Sequence, residues 1–285
     1  MHIKTFRKQV LGIALSNMDS WVRSPRVWTM VVCAVVYCIM QVVVDTSGFW
    51  VMGMKLELTL PEKLFTKVYN GFYSIGSLLF LVMVSEIPRR ISFQQFLLVR
   101  ASRVRWMLAQ CVYCAMMVLS MILLLTTAYL LIALPGSSTS STFTDTQYIQ
   151  AGCYEQEDAF ISAFIRKSFT PWTACLFAGV PLFLFWYTMV LMILMLSLLK
   201  HPLLGPSVYG FLLLARSTLL VECLPSGLIL PTDFSSLGAI IAEHVGSEAQ
   251  RLMVVISLYI VFDALLIYLL FLIVRRMDFC IFEEE

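Results

Sequence analysis

The sequence predicts an all-α polytopic membrane protein. Of its 285 residues 60% are hydrophobic and only 13% are charged, against about a quarter charged in soluble domains. Mean hydropathy is +0.85, so the apolar surplus has to be hidden in lipid. Six apolar runs approach or exceed the ~20 residues needed to cross a hydrocarbon core ~30 Å thick. A membrane barrel would instead show short alternating strands, so the spans are expected to be helices that satisfy their own backbone hydrogen bonds.

Residues 1–26 are expected to form a cytoplasmic amphipathic helix. Ile3, Phe6, Val10, Leu11, Ala14 and Met18 follow helical spacing, and Lys4, Arg7 and Lys8 take the polar side. This helix should lie along the membrane surface, with Trp21 and Trp28 as interface anchors. A polar stretch of 26 residues precedes the first apolar run and no small-residue cleavage site follows it, unlike a cleaved signal peptide. Residues 27–285 form one transmembrane domain with spans at about 27–44, 68–87, 107–134, 172–199, 203–221 and 252–274.

The connections differ in character. Residues 88–106 carry five arginines and follow the helix breaker Pro88, which makes them too polar to span. Taken as a helix, this segment puts Phe93, Phe96, Leu97 and Arg100 on one face, with Arg100 and Arg103 one turn apart. Residues 135–170 have a Ser/Thr-rich run and the acidic Glu155, Glu157 and Asp158, as a solvated loop does. Residues 222–250 are mainly apolar and are broken by Pro225, Gly227, Pro231 and Gly238, so a re-entrant outer segment is expected there.

Thirteen of the twenty Lys and Arg fall on the side of both termini and of segment 88–106, and six on the other. By the positive-inside rule both termini are cytoplasmic. A net charge of +2 is too mild to point to nucleic acid. Cys33, Cys38, Cys111, Cys114 and Cys175 lie in apolar runs and read as small hydrophobes, the Cys111-x-x-Cys114 match included. Cys153 and Cys223 both fall on the outer side, where oxidation would let them pair if their backbones are close.

Catalytic motifs are missing from the sequence. No Gly-Lys dipeptide occurs, so no phosphate loop is present. His-Glu-x-x-His and Gly-x-Ser-x-Gly are absent, and His2, His201 and His244 are too scattered to suggest one metal site. The chain is therefore not expected to be an enzyme or to hold a cofactor.

Two charges lie inside spans. Arg216 and Asp263 fall within about one helical turn of the same depth, so they are expected to pair, either as a structural bridge or in contact with substrate. On that reading Asp263→Asn lowers stability and a charge swap restores it. Glu86 ends the second span directly before Ile87-Pro88-Arg89-Arg90, where it can reach water or those arginines. No similarity between the two sets of three spans supports an inverted-repeat secondary transporter.

The order of elements resembles the membrane subunit of a type-2 ABC exporter (the ABC-2 permease family): an amphipathic first helix, six spans, a basic elbow after the second and a re-entrant segment before the sixth. The most specific stretch is Glu86-Ile-Pro-Arg-Arg90 followed by Leu98-Val-Arg-Ala-Ser-Arg-Val-Arg-Trp106. The resemblance implies that segment 88–106 is a coupling helix, with Glu86, Arg89, Arg90, Phe96, Arg100, Arg103 and Arg105 facing a cytosolic ABC ATPase. That ATPase would be present in two copies and would carry the ATP and Mg. The resemblance further implies a second permease, identical or related, and a bacterial cell membrane, with export of a peptide, lipid or drug-like substrate. The alternatives are an ion- or proton-driven transporter using Arg216 and Asp263, and a membrane anchor or sensor without flux.

Overall fold

The computed structural model describes residues 2–51, 59–66, 72, 75–85, 87, 102–137, 169–199, 203–217 and 248–276, with side chains not described at 2–5, 44–51, 66, 212–217, 248–252, 254 and 255. Among the described residues all regular structure is helical. The helices are α1 (His2–Val22), α2 (Pro25–Val51), α3 (Leu60–Thr66), α4 (Ser77–Val84), α5 (Arg103–Ala133), α6 (Pro171–Leu198), α7 (Leu204–Ser217) and α8 (Glu248–Arg276).

Among the described residues four helices are long and apolar enough to cross a membrane: Pro25–Val43 within α2, Arg103–Ala133, Pro171–Leu198 and Ile256–Arg276 within α8. They correspond to the first, third, fourth and sixth expected spans. The second and fifth runs are represented by the shorter α4 and α7. Residues 138–168 of the expected solvated loop and 222–247 of the expected re-entrant segment, Cys153 and Cys223 among them, lie outside the described residues.

Helix α6 is the hub, packing against α3, α4, α5, α7 and α8. Its start has local causes: Thr170 caps the helix by accepting from the Thr173 backbone N–H at 3.4 Å, and Pro171 occupies the first turn, where its missing N–H costs nothing. Trp186 is fully buried on α6, stacks on Phe80 of α4 at 4.8 Å and donates to Ser77 Oγ at 2.7 Å. Ser77 in turn donates to the Phe72 carbonyl, so α4 is bound to the hub by a fully satisfied polar chain.

Close helix approach occurs at Gly205 and not at Gly179. Ala174 and Ala178 are buried, but a Cβ on Gly179 would meet nothing within 4 Å. A Cβ on Gly205 would come within 2.9 Å of the Ile193 Cα, so α7 crosses α6 where only glycine leaves room for the two backbones.

Helix α3 has no counterpart among the expected spans. Glu62 Oε2 accepts from both the backbone N–H and the hydroxyl of Thr59 at 2.9 Å, the reciprocal half of a capping box. Lys63 donates to Ser137 at the end of α5, and Cys175 near the start of α6 lies 3.1 Å from the Pro61 carbonyl. Through these contacts α3 closes one end of the bundle over α5 and α6.

Candidate functional site

At the opposite end, α1 lies against α5. Its buried face is Ile13, Ala14, Asn17 and Trp21, with Phe6, Val10 and Met18 at the edges, while Leu11 is 50% exposed. The expected face is thus rotated: α1 packs against protein along one side and leaves Leu11, Leu15 and Val22 exposed on another. Trp21 is buried inside the protein and does not serve as an interface anchor, whereas Trp28 is exposed as expected.

The sequence-predicted coupling residues divide into two groups. Glu86, Arg89, Arg90, Phe96 and Arg100 lie outside the described residues. Arg103 and Arg105 belong to the first turn of α5, and Ser102 before them is extended at φ −65°, ψ 147°. A helix running through from Arg100 to Arg103 is therefore interrupted at Ser102, and the last part of the expected elbow is the beginning of a span.

Both arginines bind other parts of this chain. Arg105 Nη1 donates to Gln9 Oε1 at 2.7 Å, and its guanidinium lies 5.5 Å from the Phe6 ring centroid. Arg103 Nη1 donates to the Arg275 carbonyl at 3.0 Å, one of the last carbonyls of α8, which have no acceptor role inside the helix. The start of α5 therefore clasps the amino-terminal helix on one side and the end of the last helix on the other. Between α1 and α5 the fit is polar but incomplete. Asn17 Nδ2 and Trp21 Nε1 on α1, and Arg105 Nε on α5, are buried donors with no acceptor among the described residues.

Asp263 is the one buried acid in a spanning helix among the described side chains, at 5% exposure. It lies roughly 20 Å from the Arg276 end of α8, at ~1.5 Å per residue. Its Oδ1 is 2.6 Å from Thr188 Oγ1 on α6, and its Oδ2 has no donor among the described residues. Arg216 is placed in α7 by its backbone, but its side chain is not described. The contact the structure shows for Asp263 is with Thr188. Sequence reasoning missed that residue, although depth counting from Leu198 puts it about 15 Å above the same end of the bundle.

Cys38, Cys111, Cys114 and Cys175 are buried free thiols and Cys33 is partly buried, as expected of small hydrophobes. Among the described residues no three His, Cys, Asp or Glu side chains come together to hold a metal. Four apolar helices of spanning length make this a membrane-embedded protein. No protein-family model, curated protein or solved structure matches the chain.

Proposed function

We propose that the chain is the membrane subunit of an ATP-binding cassette exporter of the type-2 kind. In this reading it has six spans and cytoplasmic termini, and a separate ATPase drives it through segment 88–106. The observation that carries the reading is the clasp at the start of α5. Arg105 holds α1 and Arg103 holds the end of α8, so a push delivered just before Ser102 reaches the first, third and last long helices together. The donors left unmade along the α1–α5 seam support it. A buried donor without a partner costs about 1–3 kcal/mol, so this seam has less to lose on rearranging than a fully paired one.

The test is recovery of the protein in mild detergent from its native membrane. A stoichiometric ATP-hydrolysing companion is expected, released by Arg89→Glu with Arg100→Glu. If only this chain is recovered under conditions that preserve other membrane complexes, the reading fails. A proton-driven transporter is the second reading, favoured by a single feature, the half-satisfied acid Asp263 at mid-depth. Flux in ATP-free vesicles driven by a pH gradient would establish it instead.

A further inference from the structure

Thr188 has one hydroxyl hydrogen and two acceptors within reach. Its Oγ1 lies 2.6 Å from Asp263 Oδ1 and 2.9 Å from the Leu184 carbonyl oxygen, four residues back on the same helix. A hydroxyl donates once and accepts through its lone pairs. If Asp263 is ionised, the two short contacts must share one hydrogen. Oδ2 is then half of a charged group buried in a spanning segment with no donor among the described residues.

The distance alone does not decide the matter, because neutral and charge-assisted O–H···O bonds both reach this length. The hydrogen count, taken with the unmet Oδ2, favours the neutral acid. With a proton on Oδ1, Asp263 donates to Thr188 Oγ1 and Thr188 donates to the Leu184 carbonyl. Each contact then holds its own hydrogen. Oδ2 becomes a neutral carbonyl oxygen, which tolerates a missing donor far better than a carboxylate does.

We propose that Asp263 is a proton-binding site near the middle of the membrane, a neutral carboxylic acid at the head of the relay Asp263–Thr188–Leu184. The side chains around it are consistent with a neutral occupant. Tyr187 of α6 and Tyr209 of α7 are close enough to interact electrostatically with Asp263, as Cys111 and Cys114 of α5 are with Tyr187. None of these is a cation, and the Arg216 side chain is not described. A metal ion in place of the proton would want about six oxygens. The relay supplies far fewer, and no cluster of three ligating residues forms among the described ones.

The relay joins α6 to α8, so separation of these helices and release of the proton are linked. That linkage holds whether or not an ATPase drives the chain. By contrast, an ion pair with Arg216 requires Asp263 to be charged.

Infrared difference spectroscopy on the full chain in lipid nanodiscs at neutral pH tests the assignment, because the carbonyl stretch of a protonated acid stands apart from carboxylate bands. The expected result is an acid band that Asp263→Asn removes without lowering thermal stability, since the asparagine amide can donate to Thr188 in the same place. Thr188→Val should shift the band by taking away its acceptor, and this variant leaves Asp263 intact if the asparagine form does not fold. The proposal is overturned if Asp263→Asn removes carboxylate intensity and leaves the acid region unchanged, or if Thr188→Val does not move the band. It is also overturned if an Asp263→Arg, Arg216→Asp swap restores a stability that Asp263→Asn had lost.

Discussion

Helices α6 and α8 are almost the same length and each holds a stretch apolar enough to span, yet 56% of that stretch of α6 is buried in the protein and only 22% of that of α8. Hydropathy measures whether a residue tolerates hydrocarbon. It does not measure whether the hydrocarbon belongs to lipid or to another helix, because lipid tails are as apolar as leucine. What separates the two helices is the distribution of aromatic and polar residues. Besides the Thr188–Asp263 contact that the two helices share, the hub carries Trp186 bonded to α4, whereas the outward side of α8 carries Leu258, Val261, Leu265 and Leu269.

The largest effect that would break this comparison lies at Trp186. Trp186→Ala should cost about 3–5 kcal/mol, because it empties the space against Phe80 and leaves Ser77 without its donor. Tyr268→Ala, at a residue 58% exposed on α8, should stay within about 0.5 kcal/mol. Unfolding by graded detergent denaturation measures both. Equal losses would mean that the outward face of α8 is covered by protein.

A smaller contrast uses one residue type. Leu191 is fully buried on α6 and Leu265 is 50% exposed on α8. Leu191→Ala should destabilise by about 2–3 kcal/mol through the cavity it leaves, while lipid refills the space vacated at Leu265, with a change near zero.

Glycine sharpens the picture further, because the same substitution should have opposite signs at two positions. Gly205→Ala pushes a methyl group toward the Ile193 backbone, which cannot move aside as a side chain can, and should cost about 1–3 kcal/mol. Gly179→Ala enters open space and should stabilise α6 by about 0.5–1 kcal/mol from helix propensity alone. Melting temperatures of the two variants in one detergent suffice, and shifts in the same direction would refute the crossing point.

The long spans were legible because each is a run of apolar residues with a boundary signal. The structure starts α2 at Pro25 and α6 at Pro171, within two residues of the expected starts. The start of α5 was less legible: Arg103 and Arg105 look like elbow residues by charge, and their place in a spanning helix depends on acceptors, Gln9 and Arg275, remote in sequence. The buried side of α1 was misread because Leu11 fits the apolar pattern as well as Ile13 does, and only the position of α5 chooses between them. Asp263 stood out as a charge among apolar residues. Its contact with Thr188 did not, because a threonine in a spanning helix more often bonds its own backbone, as Thr126 and Thr127 do.

Helix α3 was legible and was passed over. Thr59-Leu-Pro-Glu62 carries the Thr-x-x-Glu capping signature, but a seven-residue helix has no apolar run to draw attention to it. Its stability is therefore expected to rest on the cap and on docking, more than on propensity. Glu62→Ala removes the acceptor of both Thr59 donors and should cost about 1 kcal/mol. That loss should be local, raising hydrogen exchange across residues 59–66 while the amides of α6 keep their protection. Glu62→Gln keeps an acceptor oxygen and should recover part of the loss. If Glu62→Ala instead loosened α6, α3 would have to be an integral part of the hub, and the short helix would count with α6 in the contrast against α8.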